Sequence, residues 1–214
     1  MGSGIAQVAA TSGHSVFVYD TSEVALSKAK QSVESSLNKL VEKQKLTSYK
    51  AKEIFSRFNF VNDLNFFKPC GLIIEAIVED LEIKQKLFSQ LEIIVDDNCI
   101  LATNTSSLSI ASIASYCKNA ARVIGIHFFN PAQLMPLVEI IPSLITDENI
   151  TIVSRKLIDS WGKVTVLAKD TPGFIVNRVA RPFYGEAIRI FEEGIADIAT
   201  IDFAMKEIGG FRMG

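Results

Sequence analysis

The sequence predicts an α/β protein: a doubly wound, mostly parallel sheet followed by an all-helical segment. Short β-branched or apolar runs alternate with amphipathic stretches long enough to be helices. The runs are apolar nearly throughout, as strands covered on both faces are. Beyond Asp170 the strand-like runs stop and only helical pattern continues, as far as Ile208.

In chain order, Gly2 to Ala10 opens a helix of small residues that Gly13-His14 ends, and Ser15 to Tyr19 (SVFVY) is the first strand. Glu23 to Lys45 reads as a helix with Val24, Leu26, Val33, Leu37, Leu40 and Val41 mostly on one face. Strands follow at Phe58 to Val61 and Gly71 to Glu75, then a helix over Asp80 to Val95 and a strand at Cys99 to Thr103. Leu108 to Ala114 is a short helix that Ser106 or Ser107 can cap, and Arg122 to His127 is the next strand. Leu137 to Ile141 alternates less clearly and can lie antiparallel. Asp147 to Trp161 reads as a helix and Lys163 to Leu167 as the last strand. Thr171 then suits an N-cap and Pro172 the first helical position, with a kink or break expected near Pro182 and a turn at Glu193-Gly194. The boundary near Asp170 predicts domains over 1–170 and 171–214.

Composition narrows the function classes. The chain of 214 residues is 48% hydrophobic, enough to build a core. With 22 basic and 24 acidic residues its formal charge is −2, which is no footprint for nucleic acid or an anionic membrane. The apolar run Leu72 to Val78 is interrupted by Glu75 and is too short to span a bilayer. Three widely spaced cysteines and two histidines give no disulfide framework and no metal site, and suit a reducing compartment such as the cytoplasm; a mitochondrial matrix location stays open.

A strand leading into GxGxxG and a helix, then a second strand ending in an acid about 20 residues on, is the Rossmann-like dinucleotide-binding arrangement. Gly2 and Asp20, 18 positions apart, fit its last glycine and its ribose-binding acid. The first strand and the other two glycines would precede Met1. Taken alone, the same residues read as an ordinary helix and a strand ending in a turn aspartate. In the nucleotide reading Asp20 selects NAD over NADP, because its carboxylate repels a 2′-phosphate and Thr21 supplies no cation.

Longer motifs lie in the middle of the chain. Glu75-Ala76-Ile77-Val78-Glu79, Asn104-Thr105-Ser106-Ser107-Leu108, Gly125-Ile126-His127-Phe128-Phe129-Asn130-Pro131, Leu137-Val138-Glu139 and Asp170-Thr171-Pro172-Gly173-Phe174-Ile175-Val176-Asn177-Arg178 occur in order across essentially the whole chain. Together they resemble the L-3-hydroxyacyl-CoA dehydrogenase family, including 3-hydroxybutyryl-CoA dehydrogenases. Met1-Gly2 resembles the end of that family's glycine loop, and Gly209 to Gly214 a segment that continues into more of its helical domain. The resemblance thus implies a member cut at both ends, with the first strand missing and the helical domain incomplete.

The resemblance implies hydride exchange between NAD and the 3-hydroxyl carbon of an acyl-CoA, as in fatty acid β-oxidation. His127, at the predicted C-terminal end of a strand, is implied as the general acid/base; by itself it reads as a core histidine beside Phe128 and Phe129. Glu139, twelve residues on in an apolar strand, is implied as its partner, fixing the tautomer and stabilising the imidazolium; otherwise it is a strand-edge carboxylate. Ser106 is implied to hydrogen-bond the substrate oxygen and also to touch cofactor and coenzyme A. Asn177 is implied to orient the substrate from the helical segment. The resemblance assigns Glu79, Lys84 and Asn104, with Gly2 and Asp20, to NAD; by themselves Glu79 and Lys84 read as a solvated helix start. It assigns Ser36 and Lys43, seven residues apart on one helix face, to coenzyme A; by themselves they read as a solvated face. It also implies a homodimer through the helical domain. Absence of the first strand leaves its two neighbours unpaired or forces them together, so these residues alone are expected to bind NAD weakly and be of marginal stability. Two other readings stay open: a related dehydrogenase of another hydroxy acid, as in the crystallin-like gulonate dehydrogenases, and a catalytically silent relative.

Overall fold

The computed structural model describes residues 1–212, so Met213 and Gly214 of the final predicted segment lie outside the described residues. Two compact units divide the chain, Met1–Pro172 and Gly173–Gly214.

The first unit is α/β and mostly parallel, as the sequence predicts. Its elements are α1 (Gly2–Thr11), β1 (Val16–Tyr19), α2 (Glu23–Glu42), α3 (Ser48–Phe55), β2 (Phe58–Val61), β3 (Leu72–Glu75), α4 (Leu81–Ile94), β4 (Ile100–Thr103), α5 (Ile110–Ala114), β5 (Val123–Phe128), β6 (Leu137–Pro142), α6 (Glu148–Ser160) and β7 (Val164–Leu167). Their strands form two sheets, β1-β2 and β3-β4-β5-β6-β7. All pairings are parallel except β5-β6. That exception has a local cause, since only eight residues join the two strands and a parallel crossover needs about a dozen.

The outer edges of β1 and β3 do not pair with each other; both line one cavity of about 1520 Å³. Of the two expected consequences, collapse therefore does not occur. Helix α1 ties the sheets together. Its Ile5 and Val8 join the core built on Ile124, Ile126, Val138 and Ile140, while Ala6 and Ala10 join Val33, Leu37, Ile54 and Phe58. Small side chains let one helix pack in both directions, and Gly13, at φ +101°, turns the chain out of it.

Three local expectations need correction. Helix α3, capped by the Thr47 hydroxyl, lies in a stretch where the sequence pattern predicts no element. Ser106 and Ser107 do not cap α5: Ser109 does, and Asp170 accepts from the Ile110 and Ala111 amides at 2.9 Å each. In the second unit, α7 (Val176–Glu192) starts at Val176 rather than Pro172. Gly173 and Phe174 both have positive φ, +76° and +47°, which a right-handed helix does not admit. The helix continues through Pro182, then ends before Gly194 at φ +68°, followed by α8 (Ile198–Phe203) and a π-helical turn over Ala204–Ile208. No helix among the described residues is long and apolar enough to cross a membrane.

Candidate active site

Strands β5 and β6 set the central pair. Their antiparallel register places His127 directly opposite Glu139, so the two side chains leave the same face of the sheet. His127 Nδ1 lies 2.7 Å from Glu139 Oε2, and both residues are buried, at 6% and 0% exposure. A carboxylate in that position accepts a hydrogen bond from a proton on Nδ1, which fixes the tautomer of the ring. The Phe129 ring stands 4.6 Å from the imidazole and helps fix its plane. Gly125, two residues earlier, is required by packing: a Cβ there would meet Ile110 Cδ1 at 2.8 Å and Ile141 Cβ at 2.9 Å.

The turn after β4 is tied to this pair. Asn104 Oδ1 accepts from the Phe128 amide at 2.8 Å, next to His127, and the Asn104 amide donates to the Glu75 carbonyl at 2.8 Å. The Ser106 amide donates to Glu79 Oε1 at 3.0 Å, and the Thr105 and Ser107 hydroxyls bond the same oxygen. Burial works against the Glu79 charge, but the Thr105 hydroxyl, the Ser106 amide and Lys84 outweigh it and hold the carboxyl below its ordinary range.

Other predicted residues have varied placements. Asp20 directly follows β1, exposed, with Oδ1 accepting from the Ser22 amide at 2.9 Å, and it lines the cavity with Gly2. A Cβ at Gly2 would meet Ala76 Cβ at an ordinary 3.8 Å, so close packing does not demand glycine there. The fit to a dinucleotide rests instead on Asp20 and on the first turn of α1, which carries no side-chain cap. Lys84, assigned to NAD by the resemblance, lies in the interior. It is 1% exposed, and its ammonium is engaged by Glu75 at 2.7 Å and Glu79 at 3.3 Å. Ser36 is half-buried on α2 and Lys43 is the exposed cap residue at its end. Asn177 is the second residue of α7, in the helical unit.

Glu75 and Thr103, to which the sequence motifs assign no role, are both buried beside the turn. The signal available was a carboxylate ending an apolar strand. Lys163 also went unassigned; its ammonium donates to the Ala132 and Met135 carbonyls at 2.6 and 2.9 Å, securing the segment between β5 and β6. All three cysteines are free, and burial pushes Cys99 to about 12 and Cys117 to about 11, away from nucleophilic use. No metal-ligating cluster occurs among the described residues.

Residues 1–171 match the family model "3-hydroxyacyl-CoA dehydrogenase, NAD binding domain", and residues 173–214 match its C-terminal domain. The chain is 45% identical to the 3-hydroxyadipyl-CoA dehydrogenase of Escherichia coli K12 over 214 residues, covering all of this chain and 45% of that protein. It is 43% identical to a probable 3-hydroxybutyryl-CoA dehydrogenase of Deinococcus radiodurans, covering 96% of this chain and 74% of that protein. The crystal structure of 3-hydroxybutyryl-CoA dehydrogenase from E. coli K12 superimposes with a TM-score of 0.97 at 45% identity, over 100% of this chain and 45% of that one. The chain thus spans under half of the first relative's length and about three quarters of the second's.

Proposed function

Because the chain belongs to the 3-hydroxyacyl-CoA dehydrogenase family, whose members use NAD, we propose that it interconverts a 3-hydroxyacyl-CoA and its 3-oxo form. The observation that carries this reading is the buried His127–Glu139 pair at 2.7 Å, joined through Phe128 and Asn104 to the serine turn after β4. In the oxidising direction His127 Nε2 takes the proton of the 3-hydroxyl, and in the reducing direction it returns that proton to the nascent alkoxide. Glu139 stabilises the imidazolium so formed and holds the ring in one tautomer. Bound NAD supplies the hydride chemistry at C3.

The Ser106 hydroxyl is placed in this proposal as a hydrogen-bond partner of the substrate oxygen, and Asn104 as a group at the nicotinamide end. Asp20 binds the adenosine ribose, and Ser36 and Lys43 meet the coenzyme A chain. In the helical unit Asn177 orients the substrate carbonyl. The domain roles follow: 1–170 for the nucleotide, 171–214 for substrate and association. Exposed Ile188, Phe191, Phe203 and Ile208 favour a homodimer through the latter. A cytoplasmic setting suits three free thiols.

Reduction of acetoacetyl-CoA by NADH tests the proposal. Consumption of NADH that depends on the acyl-CoA supports it, and turnover only on a free hydroxy acid overturns it in favour of a different dehydrogenase. One observation favours a second reading, a chain that binds acyl-CoA without turnover: the open edges of β1 and β3 around the cavity. A thermal shift with acetyl-CoA and none with NADH would select it.

A further inference from the structure

Glu75 is a buried carboxylate that the proposed reaction does not use. It ends β3 at 4% exposure, opposite Thr103 in the register with β4. Its Oε1 accepts from Lys84 Nζ at 2.7 Å and from the Ile77 amide at 2.7 Å; its Oε2 accepts from the Thr103 hydroxyl at 2.8 Å. Burying an ion pair costs desolvation, and a neutral pair of the same volume usually serves stability as well or better. An explanation in stability alone is therefore weak.

The bonds run onward from Glu75 by two routes. Lys84 carries its charge to Glu79 at 3.3 Å, and Glu79 gathers Thr105, Ser106 and Ser107. Thr103 Oγ1, while donating to Glu75, accepts from the Thr105 amide at 3.2 Å; Thr105 Oγ1 in turn accepts from the Ser107 and Leu108 amides at 3.3 and 3.0 Å. Both routes end on the turn that carries Ser106 and starts at Asn104.

We propose that Glu75 is a positioning residue: it fixes Lys84 and Thr103 so that the Asn104–Ser107 turn presents Ser106 and Asn104 beside His127. This deepens the dehydrogenase reading and rests on it. The Glu75 side chain is fully buried, so it acts through the turn.

Three measurements on the full chain with E75Q and E75Q/K84M test the role: acetoacetyl-CoA reduction, thermal midpoint, and amide hydrogen exchange of residues 105–108. E75Q leaves Lys84 buried with a weakened counter-charge, whereas the double variant removes both buried charges. The expected result for E75Q is a fall in kcat of about 10- to 100-fold with a smaller change in KM, and faster exchange at 105–108. In the double variant the midpoint recovers while kcat stays low and the turn stays loose. Recovery of kcat and of exchange together with the midpoint would overturn the proposal, because neutralising the buried charges would then be all that Glu75 does. No turnover by the unsubstituted chain would break the dehydrogenase reading instead, and exchange at 105–108 in the two variants would still decide the role of Glu75.

Discussion

Strands β1 and β5 come from similar sequence, VFVY and VIGIHF, yet they sit in different surroundings. Every residue of β5 is buried, with β4 parallel on one side and β6 antiparallel on the other. All four residues of β1 are only half-buried; one edge is held by β2 and the other borders the cavity shared with β3. The pair proposed for proton transfer thus lies in a strand closed on both edges, and the acid proposed for the ribose follows a strand with one open edge in the other sheet. Closure on both edges fixes the backbone, and a fixed backbone holds two side chains at 2.7 Å. An open edge leaves backbone groups to the solvent or to a ligand, and positions a carboxylate such as Asp20 less firmly.

The comparison is broken most directly at its closed end. His127→Asn should lower kcat on the order of 10²- to 10⁴-fold with NADH affinity unchanged, read by steady-state kinetics and fluorescence titration. A mild loss would remove the imidazole from the chemistry. Glu139→Gln keeps the shape but withdraws the negative charge, and a loss on the order of 10²-fold is expected, because the imidazolium is no longer stabilised. If that variant keeps full turnover, the 2.7 Å contact is structural only.

The open end should show itself in exchange and binding. Amides of β1 and β3 are expected to lose hydrogen-exchange protection at least about tenfold faster than those of β5, since opening there breaks fewer contacts. Equal protection would mean that the two sheets unfold as one. NADH should bind more weakly than micromolar, and a micromolar titration would show that the open edge costs the nucleotide nothing.

The smallest effect concerns pH. Glu79 has a depressed carboxyl pKa, so its stabilising contribution is present above the ordinary carboxylate range and is lost as pH falls through the lowered value. The stability difference between the chain and its Glu79→Gln variant should therefore vanish in acid. A gap that persists at low pH would assign the effect to packing.

Much of the pair was legible because strand pattern and motif coincide: His127 and Glu139 lie in two apolar runs joined by a short segment. The burial of Lys84 was not legible in the sequence, for a physical reason. Helical position predicts a solvated lysine, and nothing local reports that Glu75 waits nine residues earlier to neutralise it in the interior. The helix expected at Pro172 failed similarly, since positive φ at Gly173 and Phe174 is a choice of the turn that Pro172 does not announce.

The succession of strands and helices along the chain, the helix faces and the residue types able to move a proton were set by the sequence itself, because periodicity and side-chain chemistry act over a few residues. Which groups meet was decided by tertiary structure: the β5-β6 register that opposes His127 to Glu139, the burial that makes Lys84 a bridge, and the separation of β1 from β3. These depend on groups brought together from distant parts of the chain, where desolvation and packing outweigh local preference.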